Sequence, residues 1–263
     1  MSDAVVLFAE LSCENGKRIG VATLNSEKSL NALSLPMVEL LLPQMQAWKD
    51  NNDIAMVVLQ GAGDKAFCAG GDIRDLYHSM KDAPGTFQPY VTEFFTKEYT
   101  LDYLIHTFDK PVLVWGNGIV MGGGLGLMAG ASHRVVTGTS RIAMPEMAIG
   151  LYPDVGGSWF LNRMPDGCGL FLGLTGASIN AADAKHIDLA DYFIPHDQRQ
   201  KIALFAHPRP RAPTAPVHRR GLPARPRCGP PSESGSASGR TGGAAHRNEA
   251  RSPEARRPAP ESR

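Results

Sequence analysis

The chain has 263 residues, 43% of them hydrophobic, and its 27 Lys and Arg against 26 Asp and Glu leave a formal net charge of +1. So even a balance excludes a global field that would steer the chain to nucleic acid or an anionic membrane, and no apolar run reaches the roughly 18 residues of a membrane span. The average hides a split, because the acidic and apolar residues lie mostly in the first two hundred positions while the sequence after His207 is basic.

That last segment is dense in Pro, Arg, Ala, Gly and Ser and has no Lys, Phe, Trp, Tyr, Ile or Met. It buries too little apolar surface to offset about 1–2 kcal/mol of backbone entropy per residue, and disorder is expected over 206–263. No aromatic residue interleaves its charges for base stacking, which argues against a nucleic-acid arm. The abrupt break after 201–205 reads instead as out-of-frame translation of a GC-rich gene, a reading that an in-frame native transcript would overturn. Residues 1–205 are expected to be the folded domain.

The four cysteines, Cys13, Cys68, Cys168 and Cys228, form no CxxC pair, so neither a zinc site nor a disulfide framework is expected. The N-terminus has no basic region followed by an apolar run and is not Arg- and Ser-rich, so a cytoplasmic location is expected.

Residues 5–11 read as a strand, with 18–24 as its hairpin partner across Asn15-Gly16, a pair suited to the positive φ angles of a tight turn. A helix starts at Ser34 and runs through Met37, Leu40, Leu41, Met45 and Trp48. Pro36 fits its first turn, and Pro43 should kink or split it. Residues 54–59 read as a buried strand. Asp72 can cap a helix over 72–80, and a longer helix follows over 87–107. Residues 111–115 form another buried strand. A glycine cluster over 116–126 leads into a small-residue helix reaching 131, and 134–136 and 141–144 read as strands. This alternation predicts an α/β class of layered units.

Three segments carry chemistry. In Lys65-Ala66-Phe67-Cys68-Ala69-Gly70-Gly71-Asp72-Ile73, small residues run into a helix start, which exposes backbone N–H groups at the positive end of a helix dipole. Such an N–H can stabilise an oxygen that gains charge during reaction, although a plain capped helix has the same pattern. In Trp115 to Gly126, a buried strand leads into Gly122-Gly123-Gly124 without the Lys-Ser/Thr ending of a P-loop or the spaced glycines of a dinucleotide site. Three consecutive glycines let a substrate approach the backbone closely, or let a helix pack closely on a sheet. In Met144 to Gly157, Glu146 and Asp154 are separated by a stretch broken at Gly150 and Pro153, so both acids can face one pocket. Their apolar neighbours would raise a carboxyl pKa toward the range useful in acid–base work; the plainer alternative is that both acids cap helices.

In this order and spacing the three segments resemble the crotonase, or enoyl-CoA hydratase/isomerase, superfamily over residues 3–205. The resemblance implies a spiral of ββα units, an acyl-CoA substrate and a thioester oxygen held by two N–H groups, here those of Gly71 and Gly123. Hydratases of the superfamily typically carry a glutamate two residues after the triple glycine, where this chain has Gly126, and a glycine where it has Asp154. Met144-Pro145-Glu146 followed by Pro153-Asp154-Val155-Gly156-Gly157 is instead similar to the 3-hydroxyisobutyryl-CoA hydrolase branch, as are Ala66 to Arg74 and Asp109-Lys110-Pro111-Val112.

The implied activity is hydrolysis of a 3-hydroxyacyl-CoA thioester in valine breakdown. Glu146 would activate water or attack directly to give a mixed anhydride, and Asp154 would orient the substrate hydroxyl or move a proton. CoA would lie along the loop from Lys65 through Ala69, Gly70 and Gly71 to Asp72, with Gly123 across from it. Neither a metal nor a separate cofactor is expected, since CoA is part of the substrate. Hydrolases of this branch continue with further helices that wall the site and support subunit contacts, and the chain departs from them near Ala206. A homo-oligomer is therefore expected only if those helices are not required. An enoyl-CoA hydratase or isomerase and a non-catalytic CoA-binding remnant are the competing expectations.

Overall fold

A computed structural model describes residues 4–82 and 84–199. The expected boundary at 205, the disordered tail and the departure from the branch's C-terminal helices all lie outside the described residues.

Strands β1 (Val6–Ser12) and β2 (Arg18–Leu24) pair antiparallel, from Val6 opposite Leu24 to Ser12 opposite Arg18. The connection is five residues rather than a two-residue turn. Only Gly16 takes a positive φ (78°), while the Asn15 side chain accepts a hydrogen bond from the Lys17 N–H, so one left-handed residue suffices. Helix α1 (Leu35–Asp50) begins at Ser34, whose hydroxyl accepts from the Met37 N–H. It runs unbroken past Pro43, so the split expected there as one alternative does not occur. Met37, Val38, Leu41, Met45 and Trp48 lie fully buried along it, and this packing outweighs the missing hydrogen bond.

The chain then repeats one unit. β3 (Ile54–Gly61) is followed by β4 (Ala66–Cys68) and by α2 (Ile73–Asp82) and α3 (Pro89–His106). β5 (Val112–Gly116), β6 (Ile119–Met121) and α4 (Gly123–Gly130) form the next unit, and β7 (His133–Val136) with β8 (Arg141–Ala143) opens a third. In each unit the first strand joins a six-stranded sheet of order β1-β2-β3-β5-β7-β9, and the second joins a three-stranded sheet of order β4-β6-β8. Every neighbouring pair after β1·β2 is parallel, which gives the ββα spiral of the expected α/β class. The short strands β4 and β6 lie inside segments that read as glycine-rich loops, because three residues are too few to show a period.

Beyond β8 come a 3₁₀ turn (Pro145–Ile149), α5 (Gly157–Phe160), two further 3₁₀ turns, α6 (Cys168–Thr175), α7 (Ala181–His186) and β9 (Tyr192–Phe193). Alternate residues of the large sheet serve two cores. Val57, Leu59, Val112 and Val114 pack with α1, α3 and α4, whereas Met56, Val58, Leu113 and Trp115 pack on the opposite face. Cys13, Cys68 and Cys168 are free thiols. Among the described residues no helix is long and apolar enough to cross a membrane.

Candidate active site

The two glycine-rich segments meet because β4 and β6 are neighbours, and each ends at a helix start. Gly70 takes φ 102°, and a Cβ there would lie 3.2 Å from the Met121 carbonyl oxygen and 3.7 Å from the Gly123 nitrogen. The loop is pinned by short bonds, the Leu33 N–H donating to the Gly70 oxygen and the Asp72 N–H to the Leu33 oxygen, each at 2.7 Å. Asp72 caps α2 as expected, its carboxylate accepting from the Arg74 N–H at 3.1 Å. This pinning leaves the Gly71 N–H, and the first-turn N–H of Gly123, without an acceptor among the described residues.

Glu146 stands beside them. The 3₁₀ turn after β8 carries it, closed by Gly150 at φ 75°, and the residue is only 6% exposed. A Cβ on Gly122, itself at φ 50°, would sit 2.8 Å from Glu146 Oε1, so this carboxylate rests directly on the glycine backbone. Its other oxygen, Oε2, is buried with no hydrogen-bond partner among the described residues. Burial, and then the nearby Asp154, push its pKa up to about 7.

Asp154 is positioned by Pro153 before it and by the turn into α5, where the Gly157 N–H donates to its carbonyl oxygen. The Tyr99 hydroxyl donates to Asp154 Oδ2 at 2.7 Å. Burial raises this carboxyl's pKa, and the Tyr99 bond opposes the rise.

Helix α3 contributes two acids that the sequence reading left unmarked. Glu98 is 2% exposed, and a side chain on Gly123 would collide with its Oε1. Burial, then Asp154 and Glu146, push Glu98 up to about 8. One turn on, both Asp102 oxygens are shut off from solvent and lack a partner among the described residues. Burial, then Glu98 and Asp154, hold its pKa well above the usual carboxylate range. The signal was present in the sequence. Phe94, Glu98, Leu101 and Ile105 share the buried stripe of α3, and a carboxyl in an apolar stripe marks a site.

The structure thus brings together Gly70, Gly71, Gly123, Glu146 and Asp154, and adds Glu98, Tyr99 and Asp102. Lys65 is exposed at the entry to β4, with Ala69 half-buried between it and the glycines. Cys68 is fully buried and its thiol is pushed up to about 12, chiefly by burial, so it is no nucleophile. At Gly126 a Cβ would stand 2.5 Å from the Cβ of Val155, so a larger side chain there would have to displace Val155.

Buried carboxyls with pKa values raised toward neutrality, close to two N–H groups that have no acceptor among the described residues, form a constellation for acid–base or acyl-transfer chemistry. Comparison with known proteins points the same way. The chain is 43% identical over 194 residues to the mitochondrial 3-hydroxyisobutyryl-CoA hydrolase of Danio rerio, a match covering 74% of this chain and 49% of that one. It is 41% identical over 186 residues to the protein of that name from Homo sapiens, covering 71% and 46%. The chain spans about half the length of the curated relatives it matches. Their names place them in mitochondria, which lends no support to the cytoplasmic location expected from the N-terminus. Among solved structures, an enoyl-CoA hydratase from Rhodobacter sphaeroides matches with TM-score 0.71 and 36% identity, covering 78% of this chain and 60% of that one. A carnitinyl-CoA dehydratase from Mycobacterium thermoresistibile matches with TM-score 0.70 and 39% identity, covering 80% and 63%. Residues 19–211 match the enoyl-CoA hydratase/isomerase family, and the chain belongs to that family.

Proposed function

We propose that the chain hydrolyses the thioester of a 3-hydroxyacyl-CoA, with 3-hydroxyisobutyryl-CoA as the reference substrate and valine breakdown as the setting. The observation that carries this reading is the seat of Glu146, a buried carboxyl resting on Gly122 beside the free N–H groups of Gly71 and Gly123. The thioester carbonyl would lie between those two donors, and the tetrahedral oxyanion would gain about 3–4 kcal/mol per well-placed donor. CoA would run along the loop from Lys65 through Ala69 and Gly70 to Asp72.

With a pKa near 7, Glu146 is a competent base at neutral pH. It either takes a proton from the attacking water or adds to the carbonyl itself, giving an anhydride that water then opens. In both routes the CoA thiolate leaves and picks up a proton. Asp154, which accepts the Tyr99 hydroxyl bond, would hold the substrate hydroxyl or carry that proton. Burial behind Gly123 pushes the Glu98 pKa up to about 8, which disfavours its negative charge beside the oxyanion.

Two features favour hydrolysis over hydration of an enoyl-CoA. A second glutamate at position 126 is absent, and Val155 fills the space it would need. The acid at 154 is instead fixed by a tyrosine. The test is free-thiol release from 3-hydroxyisobutyryl-CoA, alongside conversion of crotonyl-CoA. Thiol release without loss of the crotonyl double bond is expected. Hydration of crotonyl-CoA without thiol release would overturn the assignment.

A further inference from the structure

Between β3 and β4 the chain leaves the six-stranded sheet and enters the three-stranded one through the short turn 62–65. The two ends of this turn approach closely, since a Cβ on Gly61 would stand 2.4 Å from the Ala66 oxygen. Each carbonyl from Gly61 to Ala66 finds a donor from outside the turn. The Asn31 amide donates to the Ala62 and Ala66 oxygens at 3.0 and 2.9 Å, the Asn117 amide to the Asp64 oxygen at 3.1 Å and the Ile119 N–H to the Lys65 oxygen at 3.0 Å. The remaining two belong to Arg199. Its guanidinium donates to the Gly61 oxygen at 2.6 Å and the Gly63 oxygen at 3.3 Å, while its Nε donates to Gln60 Oε1 at 3.2 Å. A rigid planar fork meets three acceptors at once, a match that a lysine ammonium cannot reproduce.

Asn31 and Asn117 are fully buried and hold the turn from within the core. Arg199 is half-buried and reaches the turn from the segment after β9. That segment is itself tied down. The Ile194 N–H donates to the Val136 oxygen at 2.9 Å, and His196 Nε2 meets Asp64 Oδ1 at 3.0 Å. The end of the turn carries the exposed Lys65, and the backbone then runs through β4 to Gly70 and Gly71. Arg199 bonds to neither Glu146 nor Asp154.

We propose that Arg199 is a positioning residue for the CoA portion of the substrate, fixing the turn so that Lys65 and the loop to Asp72 already have the conformation that receives CoA. The inference rests on the acyl-CoA reading above and assigns a binding role to a residue remote from the reacting acids. A loop ordered in advance costs less to immobilise on binding, so the effect falls on affinity for CoA and not on the chemical step.

Calorimetric titration of CoA itself into the full chain tests this without turnover. Arg199→Ala is expected to weaken CoA binding about tenfold through lost preorganisation. Arg199→Lys, which keeps the charge and loses the fork, should recover little of that loss. In turnover, Arg199→Ala should raise KM for 3-hydroxyisobutyryl-CoA about tenfold with kcat within about twofold. The N-acetylcysteamine thioester of the same acid lacks the nucleotide and most of the pantetheine arm, and its kcat/KM should stay within about twofold. Where circular dichroism shows Arg199→Ala unfolded, Arg199→Lys supplies the same readings. Unchanged CoA affinity in the folded variants would overturn the proposal. Full recovery by lysine would overturn it too, by marking a direct contact between the charge and a CoA phosphate, as would an equal loss on both thioesters, by marking a merely structural role. A parent that binds no CoA would overturn the acyl-CoA reading and this one with it. A parent that binds CoA but releases no thiol would remove the hydrolysis alone, and the affinity difference would still stand.

Discussion

The Tyr99 hydroxyl donates a 2.7 Å hydrogen bond to Asp154 Oδ2, linking the middle of α3 to the loop before α5. The two residues are far apart in sequence, and the bond fixes the carboxyl that faces Glu146. Hydrogen bonds to charged groups contribute about 1.5–3 kcal/mol. Tyr99→Phe is therefore expected to lower kcat/KM about tenfold to a hundredfold. Because that bond lowers the Asp154 pKa, its loss should also move the Asp154 limb of the pH–rate profile to higher pH. A profile that does not move would show that Tyr99 acts only by packing.

The acids of α3 make a prediction about stability. Glu98 is pushed up to about 8 and Asp102 well above its usual range, so the folded chain holds protons that the unfolded chain has released at neutral pH. Their contribution is fully present below about pH 4, the unfolded value, and is lost as pH rises through the folded values. The melting temperature is expected to fall between pH 5 and pH 8. Glu98→Gln should flatten that fall by several degrees, since about 1 kcal/mol corresponds to roughly 2–4 °C in a chain of this size. Thermal unfolding followed by circular dichroism across that range checks it, and an unchanged slope in the variant would count against a protonated Glu98.

Gly126 and Val155 make a third. A Cβ at 126 meets Val155 at 2.5 Å, and Val155 itself is held at φ 42°, a conformation costly for a β-branched residue. Gly126→Glu should destabilise the chain by about 1–3 kcal/mol through overpacking, without creating a hydratase. Adding Val155→Gly should recover much of the loss, since glycine both empties the space and suits that φ. Urea denaturation of the single and double variants decides this. A single variant as stable as the parent would mean that the Val155 wall yields easily.

Much of this was legible in the sequence, and the gaps have physical causes. The exposed N–H groups at each glycine-rich helix start were readable from the residues, their pairing at one site was implied by the family resemblance, and the breaks at Gly150 and Pro153 allowed Glu146 and Asp154 to face one pocket. Strands β4 and β6 were hidden by their shortness. The persistence of α1 through Pro43 depends on five buried neighbours from one helix face, which local propensity does not weigh. Glu98 and Asp102 escaped notice because helical acids are usually solvated, and only the stripe shared with Phe94, Leu101 and Ile105 sets Glu98 apart. That Val155 occupies the space beside Gly126 is a tertiary fact that no spacing rule contains.

Thiol release from 3-hydroxyisobutyryl-CoA by the full chain and by Glu146→Gln, followed from pH 5 to pH 9, tests the central claim most directly. The parent should release thiol at a rate that climbs as Glu146 loses its proton near pH 7, and the variant should be slower by at least about a hundredfold. A variant with the parent's rate and pH profile would contradict a catalytic role for Glu146 and the hydrolase mechanism built on it.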